Sequence, residues 1–263
     1  MDWHSAKKRE PVLSEFILYI FVGFFAQMIS GTLGMAYGVS GTLFLLSIGI
    51  PTSMASASIH TATVATSLVS GISHFIQGNV DKKIFLKLII PGAIGGISGS
   101  LLLSNFDGRI LKPFIYAYLL YMGIRIIFIA YKESYNKNPH TDNELHGIGL
   151  IAGFLDALGG GGWGPIVTTS LVSRGYETHK TVGTVDSSKF VVALVQVIVF
   201  SIFITISHWP VVIGLIIGGV IAAPIAAKVC GLIQPKKLMF LVGLLIIITS
   251  LTSIILGLFN EYN

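Results

Sequence analysis

The chain alternates long apolar runs with short polar connections. No Asp, Glu, Lys or Arg occurs from Phe16 to Pro51, from Leu88 to Phe106, from Pro210 to Ala227 or from Leu238 to Asn260. Thr52 to Val80 adds only His60 and His74, and Pro113 to Tyr131 only Arg125. Leu145 to Ser173 carries His146 and Asp156, and Thr181 to Ser207 carries Asp186 and Lys189. Eight apolar blocks result, four on each side of the polar stretch Lys132–Glu144. A membrane-crossing helix needs roughly 20 apolar residues, which these blocks supply. Lipid cannot satisfy free backbone groups, so continuous runs of Leu, Ile, Val and Phe predict helices, whereas a barrel would need short alternating strands. Pro51, Pro91, Pro113, Pro210 and Pro235 fall near block edges and read as helix starts. The expected fold is an all-α polytopic membrane bundle of about eight or more spans.

The blocks also repeat. Gly23-Phe24 aligns with Gly153-Phe154, Gly34 with Gly164, and, after a short slip, Gly49-Ile50 with Gly175-Tyr176. His60 then falls opposite Asp186, Gly92 opposite Gly218 and Gly96 opposite Ala222. This predicts a membrane repeat over 1–131, a linker over 132–144 and a second repeat over 145–263, with a site where the repeats meet. Each repeat opens on a glycine-rich stretch, Ser30 to Gly38 in the first and Gly159 to Pro165 in the second. Every glycine costs a helix about 1 kcal/mol relative to Ala, and Pro165 suits the first turn of a new helix. Two broken or re-entrant helices are therefore expected, their free amides facing protein or a polar cavity. The competing reading is close helix packing through small residues.

Composition narrows the class. Of 263 residues, 53% are hydrophobic and 11% charged, less than half the charged share of a soluble domain at about 25%. The net charge of +5 reads as loop topology rather than nucleic-acid binding. Arg174 and Lys180, and then Lys228, Lys236 and Lys237, predict cytoplasmic connections and an outside C-terminus; Lys82, Lys83 and Lys87 against Arg109 and Lys112 split the signal in the first half. Whether the repeats are parallel or inverted stays open. Cys230 is the lone cysteine, so no intrachain disulfide is expected. The polar start from Met1 to Arg9, followed by a long apolar run, does not read as a cleavable signal.

Charges buried among apolar helices are expensive, so each is a candidate functional residue. Asp186 and Lys189 stand three apart, on one helical face. They read either as a structural ion pair, with Asp156 as the other candidate partner of Lys189, or as an anion site at Lys189 that Asp186 modulates. His60 could accept a coupling proton; His74, near a helix end, reads as an interfacial anchor. Ser187 belongs to a run of hydroxyls that could line a polar route or bond their own backbone. Amides at the half-helix N-termini near Met35 and Pro165 attract anions. The candidate contacts are thus Ser30, Gly31 and Gly34; His60; Gly160, Gly161, Gly162, Gly164 and Pro165; and Asp186, Ser187 and Lys189. The partners expected are a small anion and the lipid bilayer, with room for a coupling proton and a homodimer. No cofactor, metal or nucleic acid is called for. A nucleotide-binding loop is missing, and the adjacent Ser188 and Lys189 point about 100° apart on a helix, poorly placed for hydrolysis. An anion channel, or an uptake permease for another small organic solute, remains open beside a carrier.

Two stretches resemble a known family: His74-Phe75-Ile76-Gln77-Gly78-Asn79-Val80-Asp81 leading into Pro91 to Gly99, and Gly153 to Pro165 followed by Gly183-Thr184. From about Ile20 to Gly257 the chain is similar to the TauE/SafE sulfite and organosulfur-anion exporters, the toluene-sulfonate uptake permease family. It departs at Gly31 to Met35, where the family's usual proline is missing. The resemblance implies a non-enzymatic, multi-pass cell-membrane protein (in bacteria, of the inner membrane) with a duplicated fold. It further implies secondary transport of an anion such as sulfite, sulfoacetate or thiosulfate.

Overall fold

The computed structural model describes residues 13–106, 108–131, 139–206, 208–230, 232 and 235–260, and every regular element among them is an α-helix. In chain order these are α1 (Leu13–Leu33), α2 (Tyr37–Ser47), α3 (Thr52–Ile76), α4 (Lys82–Asn105) and α5 (Gly108–Tyr131), followed by α6 (Asp142–Gly159), α7 (Trp163–Ser173), α8 (Thr178–Phe203), α9 (Trp209–Val229) and α10 (Pro235–Asn260). By length and apolar composition, α1, α4, α5 from Pro113 onward, α8 and α9 can each cross a membrane. Helix α3 has 25 residues, but its many Ser and Thr make it more polar than these. Helices α2 and α7 have 11 residues each, about 16 Å, or half of a ~30 Å hydrocarbon core.

The eight blocks become ten helices because two of them are interrupted: Phe16–Pro51 holds α1 and α2, and Leu145–Ser173 holds α6 and α7. Gly34, just past α1, has φ +71°, and Gly160, just past α6, has φ +64°. A side chain there would be strained, which is why the chain breaks on glycine. Gly160 and not Gly164 thus occupies the position that Gly34 holds in the first break. Two helix starts expected from proline are corrected: Pro91 lies inside α4 and Pro113 inside α5. Asp81 starts α4 instead, accepting from the amides of Lys83 and Ile84. Of the expected linker, residues 132–138 lie outside the described residues. Helix α6 then begins at Asp142 behind a capping box between Thr141 and Glu144.

Helices pack through glycine. Helix α1 runs along α9 in the same direction, with Gly23 on Leu215 and Gly31 on Ala226. Helix α6 runs along α4 in the same way, with Gly149 on Leu88 and Gly153 on Gly92. Helices α3 and α8 are antiparallel: Asn79, just beyond α3, meets Gly183, Gly71 meets Ser187, and the His60 ring stacks on Phe200. Helices α5 and α10 are antiparallel too, with Gly123 against Ile247 and the Tyr131 ring on Phe240.

The outer surface is apolar. Phe21, Phe25, Ile90, Ile94, Phe128, Ile202 and Ile221 are all exposed, while Asp156, Asp186, Lys189, His60 and His74 are buried. This reverses the arrangement of a soluble protein and suits lipid as solvent. Exposed charge gathers at one end of the bundle, where Lys87 pairs with Asp142 and Arg174 with Glu144.

Candidate functional site

The two helix breaks meet inside the bundle, and their glycines set how closely. A Cβ on Gly38, in the first turn of α2, would lie 1.4 Å from the Gly160 carbonyl oxygen. A Cβ on Gly164, in the first turn of α7, would lie 2.5 Å from that of Gly34. Each half-length helix therefore rests its first turn on the other's break. Trp163 holds the crossing from one side, fully buried against Gly92, its Nε1 donating to the Val185 carbonyl at 3.1 Å.

A narrow cavity opens at the crossing, lined by Ala36, Gly38 and Val39 from the α2 side and by Gly160, Gly161, Gly164 and Pro165 from the α7 side. His60, Thr63, Asp156 and Lys189 complete the wall. Its free volume is about 10 Å³, space for one water-sized group.

Three charged side chains reach this region. Asp156, near the end of α6, uses Oδ1 to accept from the amides of Gly162 and Trp163, both at 3.0 Å. A carboxylate thus caps α7 from the helix before it, satisfying donors whose exposure to an apolar interior would cost about 1–3 kcal/mol each. Lys189 Nζ donates to Asp186 Oδ1 and to Ser30 Oγ, both at 3.1 Å. Ser70 Oγ donates to the other oxygen of Asp186 at 2.7 Å. His60 Nε2 lies 3.1 Å from the Asp156 carbonyl oxygen. A carbonyl only accepts, so this nitrogen carries a hydrogen, and in the neutral ring Nδ1 then holds a lone pair. Nδ1 makes no hydrogen bond and stands 3.9 Å from Asp156 Oδ2.

The residues expected to form the site divide into four groups. His60, Gly160, Gly161, Gly164, Pro165 and Lys189 line the cavity; Ser30 and Asp186 hold Lys189; Gly34 and Gly162 act through their backbones, Gly34 accepting from Thr168 Oγ1. Gly31 and Ser187 stand apart, packing on Ala226 and Gly71, although the Gly31 carbonyl accepts from His74. His74 is fully buried there rather than an interfacial anchor. Its ring sits between α1 and Asn79 because the α3–α4 turn folds back on α8. Several hydroxyls of α3 and α8, including Thr61, Thr63, Ser67 and Ser188, bond their own helix. The contribution of Asp156 is the main feature absent from the expected contacts; its position three residues before the glycine run is the available signal.

An apolar bundle with two interrupted helices crossing inside it, and with charge buried at the crossing, is the architecture of an integral membrane protein with an internal polar site. The chain belongs to the sulfite exporter TauE/SafE family, whose profile matches residues 19–253. It is 42% identical over 252 residues to the probable membrane transporter protein YtnM of Bacillus subtilis (strain 168), covering 92% of this chain and 84% of that relative. No solved structure matches the chain. It is a multi-pass membrane transporter of this family, located in the cell membrane.

Proposed function

We propose that the protein is a secondary carrier for a small sulfur oxyanion such as sulfite, bound where the two helix breaks cross. The observation that carries this reading is the placement of Lys189, a buried ammonium, on a cavity walled by the first turns of α2 and α7. Half-helix N-termini and a cation together favour an anion over a cation. The description of the family as sulfite exporters supports sulfur chemistry. A cavity of about 10 Å³ favours a carrier that must widen over an open channel.

The fold is read as two inverted repeats of five helices. Counterparts by order, α3 with α8 and α5 with α10, run antiparallel, as expected when a two-fold axis lies in the membrane plane. Ser30 and Asp156 each stand three residues before the last residue of their helix, Leu33 and Gly159, and so occupy equivalent places. The end bearing Lys87, Arg174 and Lys180 is assigned to the cytoplasm by its positive charge. Rocking of one repeat against the other would expose the crossing to each side in turn.

Two buried carboxylates face one ammonium, so with neutral His60 the region holds one uncompensated negative charge. An anion entering there is favoured if a proton accompanies it, and His60 Nδ1 or a carboxylate can take that proton. Purified protein in liposomes loaded with sulfite is expected to show saturable counterflow of labelled sulfite, accelerated by an inward proton gradient. Conductance far above carrier turnover would instead indicate a channel, and the absence of sulfite flux would contradict the reading.

A further inference from the structure

The two half-helices begin differently although their surroundings match. Helix α7 starts on amides already taken by the Asp156 carboxylate. Helix α2 follows Ala36, φ +87°, whose side chain offers no cap, and among the described residues no side chain accepts from its first amides. The residue placed as Asp156 is placed, Ser30, has one uncharged oxygen, and that oxygen accepts from Lys189. The first turn of α2 is nevertheless buried, and Ala36, Gly38 and Val39 face the cavity. A buried helix start without a cap leaves donors that need an acceptor.

A second, independent feature lies on the wall of the same cavity. His60 is 2% exposed, lines the cavity, and its Nδ1 has no hydrogen-bond partner. Lys189 Nζ has two partners for three N–H groups and lines the same wall.

We infer that the transported oxyanion docks on the first turn of α2, where it takes the place that the Asp156 carboxylate takes on α7. One oxygen accepts from the α2 amides, another from Lys189, and His60 Nδ1 accepts the proton of a hydrogen oxyanion. The first turn of α7 is not a ligand site, because its own carboxylate holds it. This placement rests on the carrier reading above and specifies its substrate as a compact oxyanion with at least two anionic oxygens. Asp156 then serves as a fixed internal counterpart of the substrate.

Ser30→Asp tests the placement by building the missing carboxylate into the chain. It should fill the α2 site permanently, lowering sulfite affinity by about 100-fold, the scale of a lost charge-assisted contact. Ser30→Asn, equal in size but neutral, should stay within about 10-fold of wild type, the scale of one neutral hydrogen bond. Hydrogen exchange on the unaltered protein supplies a readout that does not depend on how either variant folds. Sulfite, with chloride as control, should slow exchange at Tyr37, Gly38 and Val39 and leave Gly162 and Trp163 unchanged. Ser30→Asp binding sulfite like wild type, or protection at Gly162 and Trp163 in place of α2, overturns the placement. Wild-type protein that transports sulfite without slowed exchange at 37–39 overturns the placement alone, whereas wild-type protein that neither binds nor transports sulfite overturns the carrier reading with it.

Discussion

Lys189→Met is expected to abolish sulfite transport and also to lower the melting temperature in detergent. Methionine keeps the length of the side chain and removes the ammonium that Asp186 and Ser30 share. Asp186 is 1% exposed, so it would be left as a buried carboxylate with Ser70 as its remaining side-chain donor. Stranding one member of a buried pair costs roughly 3–5 kcal/mol unless the carboxyl takes up a proton. Combining Lys189→Met with Asp186→Asn removes both charges and should return the melting temperature close to wild type. Transport should not return, because the cation on the cavity wall is still missing. A double variant that is stable and carries sulfite would reduce Lys189 to half of a structural ion pair. Melting curves and liposome flux on the same three proteins separate the two roles.

Gly38→Ala is expected to prevent folding. The added methyl carbon would sit 1.4 Å from the Gly160 carbonyl oxygen and 2.6 Å from its carbon. Relief of a few tenths of an ångström does not cure a clash with backbone, and no side chain is available to swing aside. The two half-helices would have to separate, and with them the cavity. Gly49→Ala provides the comparison. Gly49 also has a positive φ, +86°, but a Cβ there meets nothing within 4 Å. Its cost should be confined to backbone strain, about 1–2 kcal/mol. Size-exclusion profiles in detergent are expected to show the Gly49 variant monodisperse and the Gly38 variant aggregated. A Gly38 variant that melts like wild type would mean that the breaks do not cross in contact.

Part of this architecture was legible along the chain. Four successive glycines before Trp163 cannot sustain a helix, and the φ of Gly160 bears that out. Ser30 to Gly38 has a weaker signal, since Thr, Leu, Met, Ala and Tyr separate its glycines, yet the chain breaks there as well. Asp186 and Lys189 stand out because charges are costly in an apolar run, and they do pair. What the chain order hides is contact between distant elements. Asp156 could be read as a partner for Lys189; only its approach to the start of α7 makes it a cap. Pro91 suggested a helix start because proline lacks a donor, but α4 continues through it while Gly149 of α6 packs against its ring. His74 follows the same logic: its neighbours in sequence suggest an interface, and its neighbours in space are the Gly31 carbonyl and Asn79.

The substrate anion is proposed to sit at the crossing of the two breaks. Selenite resembles sulfite in charge and shape and scatters anomalously at the selenium edge, so crystals grown or soaked with it report the anion's position directly. One strong anomalous peak is expected between the first turn of α2 and Lys189 Nζ, within reach of His60, with the cavity widened around it. A peak elsewhere, for example in the larger cleft lined by Asp81, Tyr176 and Lys180, with none at the crossing, would contradict it.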